Sequence, residues 1–253
     1  MFMSVVAGGQ VAGGIGVGVY PELAGSRVMV TGLKAALGVD LVRAFADHKS
    51  HLVVQADEDT PEIAEVGALV TQTAASVKLF TEPLATGDDA IRFCQRETAT
   101  AGGLDTLVNL VAIDRREAGR CRSLDDVESL VSSKLIGATL MTRVAANRMR
   151  LTLGTGLVLN VVRMATPSTD AEKAVAGIVR AALAAMTRAE AQQWADQAIR
   201  INAVGPGAID GSGSGCLASE PDIAALALYL SSKKGRQLSG HVFDAEGVAS
   251  NGC

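Results

Sequence analysis

Leu157-Val158-Leu159-Asn160-Val161-Val162 opens the stretch that decides the fold, and Ala198-Ile199-Arg200-Ile201-Asn202-Ala203-Val204-Gly205-Pro206-Gly207 closes it. Between them Glu172 to Trp194 is rich in Ala and reads as one long helix. Both flanking runs are short and largely apolar, which is how strands covered on two faces of a parallel sheet read. A strand, a long helix and a second strand form the crossover unit of an α/β fold.

The same alternation extends towards the N-terminus. Ser26 to Val30 reads as a strand and Val39 to Asp47 as a helix. His51 to Gln55, Val77 to Phe80 and Leu104 to Asn109 read as further strands. Ile63 to Val70 and Asp88 to Thr98 read as the helices between them. Leu124 to Arg150 predicts a long helix, with a break expected near Val131-Ser132-Ser133. Strands alternating with helices predict a single Rossmann-like, doubly wound parallel sheet with helices on both faces, over residues 26–253. Residues 1–25 stand apart as a Gly-rich extension, expected to be mobile or loosely packed. Its Gly14-Ile15-Gly16-Val17-Gly18 is followed by Tyr20-Pro21, so the helix that a phosphate loop needs does not follow.

Composition removes several function classes. The chain has 253 residues, 48% of them hydrophobic and only 3% aromatic, so the core must be built from Ala, Val, Leu and Ile. A net charge of −4 gives no basic footprint for nucleic acid. No apolar run is long enough to span a membrane. The four cysteines, Cys94, Cys121, Cys216 and Cys253, form no CxxC pair and read as reduced thiols of a cytoplasmic protein.

One turn has the chemistry of an anion site. The strand ending at Val30 feeds Thr31-Gly32-Leu33-Lys34-Ala35-Ala36-Leu37-Gly38 and then a helix. Glycines let backbone N–H groups approach a diphosphate, and a helix N-terminus adds partial positive charge. Asp57, at the end of the next strand, stands where a ribose hydroxyl would be held. The competing expectation is a turn that keeps the fold and binds nothing, with Asp57 as one of the solvated acids Asp57-Glu58-Asp59.

The strand–helix–strand unit, Thr31-Gly32 and the final Gly240-His241-Val242-Phe243-Asp244-Ala245-Glu246-Gly247 together resemble a short-chain dehydrogenase/reductase. The resemblance runs from about Ser26 to Val248. It implies hydride transfer between NAD and a carbonyl or alcohol, and Asp57 would favour NAD over NADP. Thr31, Gly32, Gly38, Asp57 and Asn109 are the residual cofactor-binding positions. Ala36 replaces the middle glycine of the family's Thr-Gly-x-x-x-Gly-x-Gly. Asn109-Leu110-Val111-Ala112 replaces its Asn-Asn-Ala-Gly turn. A protein without cofactor is therefore the equal alternative to one that holds NAD.

The resemblance also implies an Asn, a Ser, a Tyr and a Lys at the reacting centre. Counting back without gaps from Ile201-Asn202-Ala203 places Lys134, Arg163, Ala176 and Arg180 on those positions, with Ala176 lying 13 positions after Arg163. No catalytic residue is thus expected. Ala176 carries no proton, and Arg180 keeps the charge but hardly titrates. The only tyrosines are Tyr20 and Tyr229, and Tyr229 lies in the apolar helix Ile223 to Tyr229. The Gly/Ser-rich stretch Ala208 to Ser219 is short for a segment that must cover a substrate. No metal site is expected. The family also contains non-catalytic subunits of heteromeric dehydrogenases, some acting on acyl-CoA intermediates of aromatic catabolism. That precedent gives the first expectation: a non-catalytic subunit beside a catalytically intact relative, as a heterotetramer. Two others stand beside it. One is an active NAD-dependent oxidoreductase using residues such as Asp170, Glu172 or Lys173. The other is a nucleotide sensor without chemistry.

Overall fold

The computed structural model describes residues 20–152, 154–165, 167–206 and 220–244. Seven parallel strands run β1 Arg27–Leu33, β2 His51–Ala56, β3 Ser76–Phe80, β4 Thr106–Ile113, β5 Gly156–Met164, β6 Ile199–Gly205 and β7 Val242–Asp244. They form one sheet in the order β3-β2-β1-β4-β5-β6-β7. The helices are α1 Val39–Asp47, α2 Pro61–Thr71, α3 Gly87–Thr100, α4 Arg115–Arg120, α5 Leu124–Thr152, α6 Asp170–Trp194 and α7 Glu220–Ser231. This is the Rossmann-like, doubly wound arrangement that the sequence predicts.

Side-chain alternation along each strand divides the core in two. Val28, Val30, Leu52, Val54, Val108, Leu157, Leu159 and Val161 pack with Leu41 and Phe45 of α1, Ile63 of α2, and Leu228 of α7. On the other face Met29, Leu107 and Val158 meet Phe93 of α3 and Met149 of α5. Ile113, Val162 and Met164 meet Val175, Ala176 and Val179 of α6. Helix starts are fixed by side-chain caps. Thr60 accepts the Ile63 N–H ahead of Pro61, and reciprocal capping boxes begin α3 (Thr86/Asp89) and α6 (Thr169/Glu172).

Several expectations are corrected. β1 continues through Thr31 and Gly32 to Leu33, with a register shift against β2 after Val30. β4 continues through Asn109 to Ile113, so Asn109-Leu110-Val111-Ala112 is strand and not turn. It stays paired with β5 as far as Met164. α5 is unbroken at Val131-Ser132-Ser133. The end of the expected extension belongs to the fold: Pro21–Leu23 forms a 3-10 turn, and Leu23 is buried in the α1/α7 core. Residues 1–19, which include Gly14 to Gly18, lie outside the described residues, as do 207–219 and 245–253.

Candidate functional site

In an open α/β sheet ligands bind beyond the carboxyl ends of the strands, where the strand order reverses. Here that point lies between β1 and β4. The chain after β1 does not open there as a cradle. Lys34 and Leu37 close a two-residue hairpin over Ala35-Ala36, each donating its N–H to the other's carbonyl at 3.0 and 2.9 Å. The Gly32 N–H is taken by the Gln55 side chain, Oε1 at 2.8 Å. Gln55 is itself fixed, its Nε2 donating to Asp57 Oδ1 at 3.0 Å and to the Glu82 carbonyl at 2.7 Å. Three amide donors of the loop are thus spent inside the protein. Gly38 is the N-cap of α1 and Asp40 lies in its first turn, so a carboxylate already answers the positive end of the helix.

Gly32 and Gly38 have a packing reason of their own. Gly32 has φ +75°, and a methyl group on it would lie 2.1 Å from the Leu110 carbonyl oxygen. Gly38 has φ +99°, and a methyl group there would lie 2.3 Å from Leu110 Cδ1. Both glycines let β4 approach, whether or not a phosphate ever does. Thr31 and Asn109 face the opposite side of the sheet from this packing. Thr31 Oγ1 donates to Asn109 Oδ1 at 2.9 Å, and Asn109 Nδ2 donates to Asn160 Oδ1 at 2.7 Å and to the Ala138 carbonyl at 3.3 Å. Thr142 of α5 completes this buried polar ladder with Asn160. Asp57 is exposed and bonded only to Gln55 among the described residues. Of the five positions, Gly32 has its N–H committed to Gln55 and Asn109 turns its side chain into the core, while the amides of Lys34 and Leu37 in the same loop are bonded to each other's carbonyls.

The four positions that the resemblance assigns to the reacting centre have separate packing roles in the structure. Ala176 is 2% exposed and packs among Ile113, Ala118, Val127 and Val179. α4, capped by the Asp114/Glu117 box, lies against this part of α6, and its Ala118 is fully buried. Lys134 reaches not the site but α4, pairing with Glu117 at 2.7 Å. Arg180 ties α6 to the ends of two strands, donating to the Pro206 carbonyl at 2.9 Å and pairing with Asp244 of β7. Arg163 sits beside Ala112 in the β4/β5 register. Strand alternation gives it the face of Leu159 and Val161, whereas Val162 and Met164 pack with Ala176. Tyr20 and Tyr229 both border the α1/α7 core, on the other side of the sheet from Ala176.

The acids offered as substitutes are occupied as well. Glu172 accepts from the Ser168 N–H at 2.6 Å and the Ser168 hydroxyl at 2.9 Å, and these bonds hold its carboxyl below the usual range. An acid tuned that way stays ionised and serves the cap, not proton transfer. Lys173 and Asp170 pair with each other on the surface. Among the described residues no cluster of His, Cys, Asp and Glu could hold a metal ion. Nor is any helix among them long and apolar enough to cross a membrane. Gln55 and α4 were not foreseen from the sequence; Asp114-Arg115-Arg116-Glu117 is the capping-box spacing that could have announced α4.

Curated relatives and solved structures agree with this architecture. Galactitol 2-dehydrogenase of Agrobacterium fabrum is 26% identical over 183 residues, covering 72% of this chain and 70% of that protein. The 2-dehydro-3-deoxy-D-gluconate 5-dehydrogenase of Bacillus subtilis is 22% identical over 245 residues, covering 89% and 95%. Among solved structures, an NADH-dependent reductase complexed with NAD superposes with a TM-score of 0.73 at 18% identity, covering 90% of this chain and 97% of that one. The Escherichia coli hydroxysteroid dehydrogenase gives 0.72 at 20%, covering 91% and 97%. At these identities the superpositions speak for the fold alone. The profile of the short chain dehydrogenase family matches residues 26–221, and the chain belongs to that family.

Proposed function

We propose that this chain is a non-catalytic, cytoplasmic subunit of a hetero-oligomeric short-chain dehydrogenase, built to support a catalytically intact relative. One observation carries the reading. The position that should present a proton donor is Ala176, sealed under α4 in an apolar cluster, and neither tyrosine of the chain lies on that side of the sheet. Without a group able to give or take a proton beside the substrate oxygen, hydride transfer has no partner step. The committed amides of Gly32, Lys34 and Leu37 support the same reading, because those three N–H groups are not free to meet a diphosphate.

The assembly side of the proposal draws on α5 and α6. Ile136 and Ile178 are 54% and 39% exposed on these long helices, which resemble the family's assembly helices. A heterotetramer with a relative that keeps Tyr and Lys would cover them. The partner would supply cofactor, proton donor and substrate pocket, and acyl-CoA substrates of aromatic catabolism are the class that the resemblance suggests. The test is to purify the chain alone and together with such a relative from the same genome. Mass by light scattering and NAD(H)-dependent turnover over a panel of ketones and alcohols are then measured. The proposal expects no turnover from the chain alone and a defined mixed oligomer with the relative. A stable homo-oligomer that turns over by itself would overturn it.

A further inference from the structure

The opposite end of the sheet, at the amino ends of the strands, carries a groove of 1160 Å³. It runs between the start of β1, the starts of β5 and β6, the last turns of α6, and the segment after α7. Five cations line it: Arg27, Arg188, Arg200, Lys233 and Arg236. The described carboxylates lining it are Glu22 and Asp105, and both are engaged. Asp105 is clamped by Arg27, with Nε to Oδ2 at 2.9 Å, and Glu22 accepts the Lys233 backbone N–H at 3.0 Å. Even counting both carboxylates, the groove is a positive site on a chain whose formal charge is −4.

Arg200 is the informative residue. It is half-buried at the start of β6, and no carboxylate pairs with it among the described residues. Its Nη1 donates to the Leu230 and Gly235 carbonyls, which caps the end of α7. That use explains one nitrogen of the guanidinium and leaves Nε and Nη2 without described partners, in a group with five N–H donors. Burial, with the like charge of Arg236 beside it, lowers its proton affinity. Two guanidiniums near each other with no acid between them are destabilised until an anion joins them. Arg188 and Arg236 are exposed, and neither has a described partner to satisfy it.

We infer that this groove binds a phosphorylated metabolite of mononucleotide size, held through two or more phosphate oxygens by Arg200, Arg236 and Arg188. Planar guanidiniums match phosphate oxygens bidentately, which favours phosphates over a single carboxylate. The volume is ample for a body beyond the phosphates, since small-molecule sites run to about 300–1000 Å³. Ala24, Ala191 and Ala195 give the groove an aliphatic side for that body. The site lies at the opposite end of the strands from Gly32 to Gly38, so it stands independently of the reading of the dehydrogenase site.

The test uses the full chain and isothermal titration with ADP, inorganic pyrophosphate and adenosine. The expected result is saturable binding of ADP and pyrophosphate, weakened by added salt, and none of adenosine. The double variant R188E/R236E alters exposed side chains and should keep the wild-type melting temperature. It should weaken ADP binding at least about tenfold, the loss of one charge-assisted contact or more. Should that variant fail to fold, R236Q gives the same readout with less charge change. Absence of heat with both ADP and pyrophosphate would overturn the inference. So would ADP binding that survives the variants unchanged, since it would then lie elsewhere on the protein.

Discussion

Placing a tyrosine at position 176 should destabilise this protein and yield no activity. Ala176 is 2% exposed and sits in α6 among Ile113, Ala118, Val127 and Val179. Ala176→Tyr must force a phenol ring into that packing. Overfilling a close-packed core costs about 1–3 kcal/mol. The phenol hydroxyl would also be buried among apolar side chains, and an unsatisfied buried hydroxyl costs about 1–3 kcal/mol more. A loss of about 3 kcal/mol lowers the melting temperature of a domain this size by about 6–12 °C. Calorimetry on wild type and A176Y reads this directly, and the same samples are assayed for NADH oxidation. The expected outcome is a clear drop in stability with no turnover. An A176Y protein that melts with wild type, or that gains NAD-dependent activity, would refute the claim that α4 and the apolar cluster seal this position.

Three further outcomes follow from particular contacts. Asn109→Ala leaves Thr31 Oγ1 and Asn160 without their central partner in a buried ladder, so the urea unfolding free energy should fall by about 2–4 kcal/mol. An unchanged midpoint would mean that the ladder is not structural. Asp89 is held low by Thr86 and Arg92, Asp114 by the Glu117 N–H, Asp126 by the Arg122 N–H and Ser123, and Glu172 by Ser168. A depressed folded value means that their support is complete above the unfolded carboxylate range and is lost as pH falls through the folded values. Melting temperature should therefore hold between about pH 8 and 5 and fall below about pH 4; a flat profile through that range would contradict it. Cys94 is fully buried and its thiol is pushed up to about 12, so peptide mapping after native alkylation at neutral pH should find it unmodified and reactive only on unfolding. Native labelling at the rate of a free thiol would refute this.

The sheet was legible because strand runs such as Leu157 to Val162 and Ile199 to Val204 are apolar enough to admit only a buried reading. Their helices were legible from spacing alone. At Ala176 the sequence alone says that the side chain is a methyl group with no proton to give. The site was not legible at Gly32, whose N–H is claimed by Gln55 from the next strand. Only the β1/β2 register brings those two together, and sequence spacing carries no register. The side-chain direction of Asn109 depends on where the strand ends, which spacing does not give; β4 runs on to Ile113, and alternation turns Asn109 towards α5. α4 escaped because six residues give too little periodicity, although its capping box was present.

The central proposal is that this chain does not carry out NAD(H)-dependent turnover by itself. Isothermal titration of the purified chain with NADH, followed by turnover on the same sample, tests it most directly. The expected result is no saturable heat at micromolar protein and no turnover. Micromolar binding accompanied by hydride transfer would contradict the account.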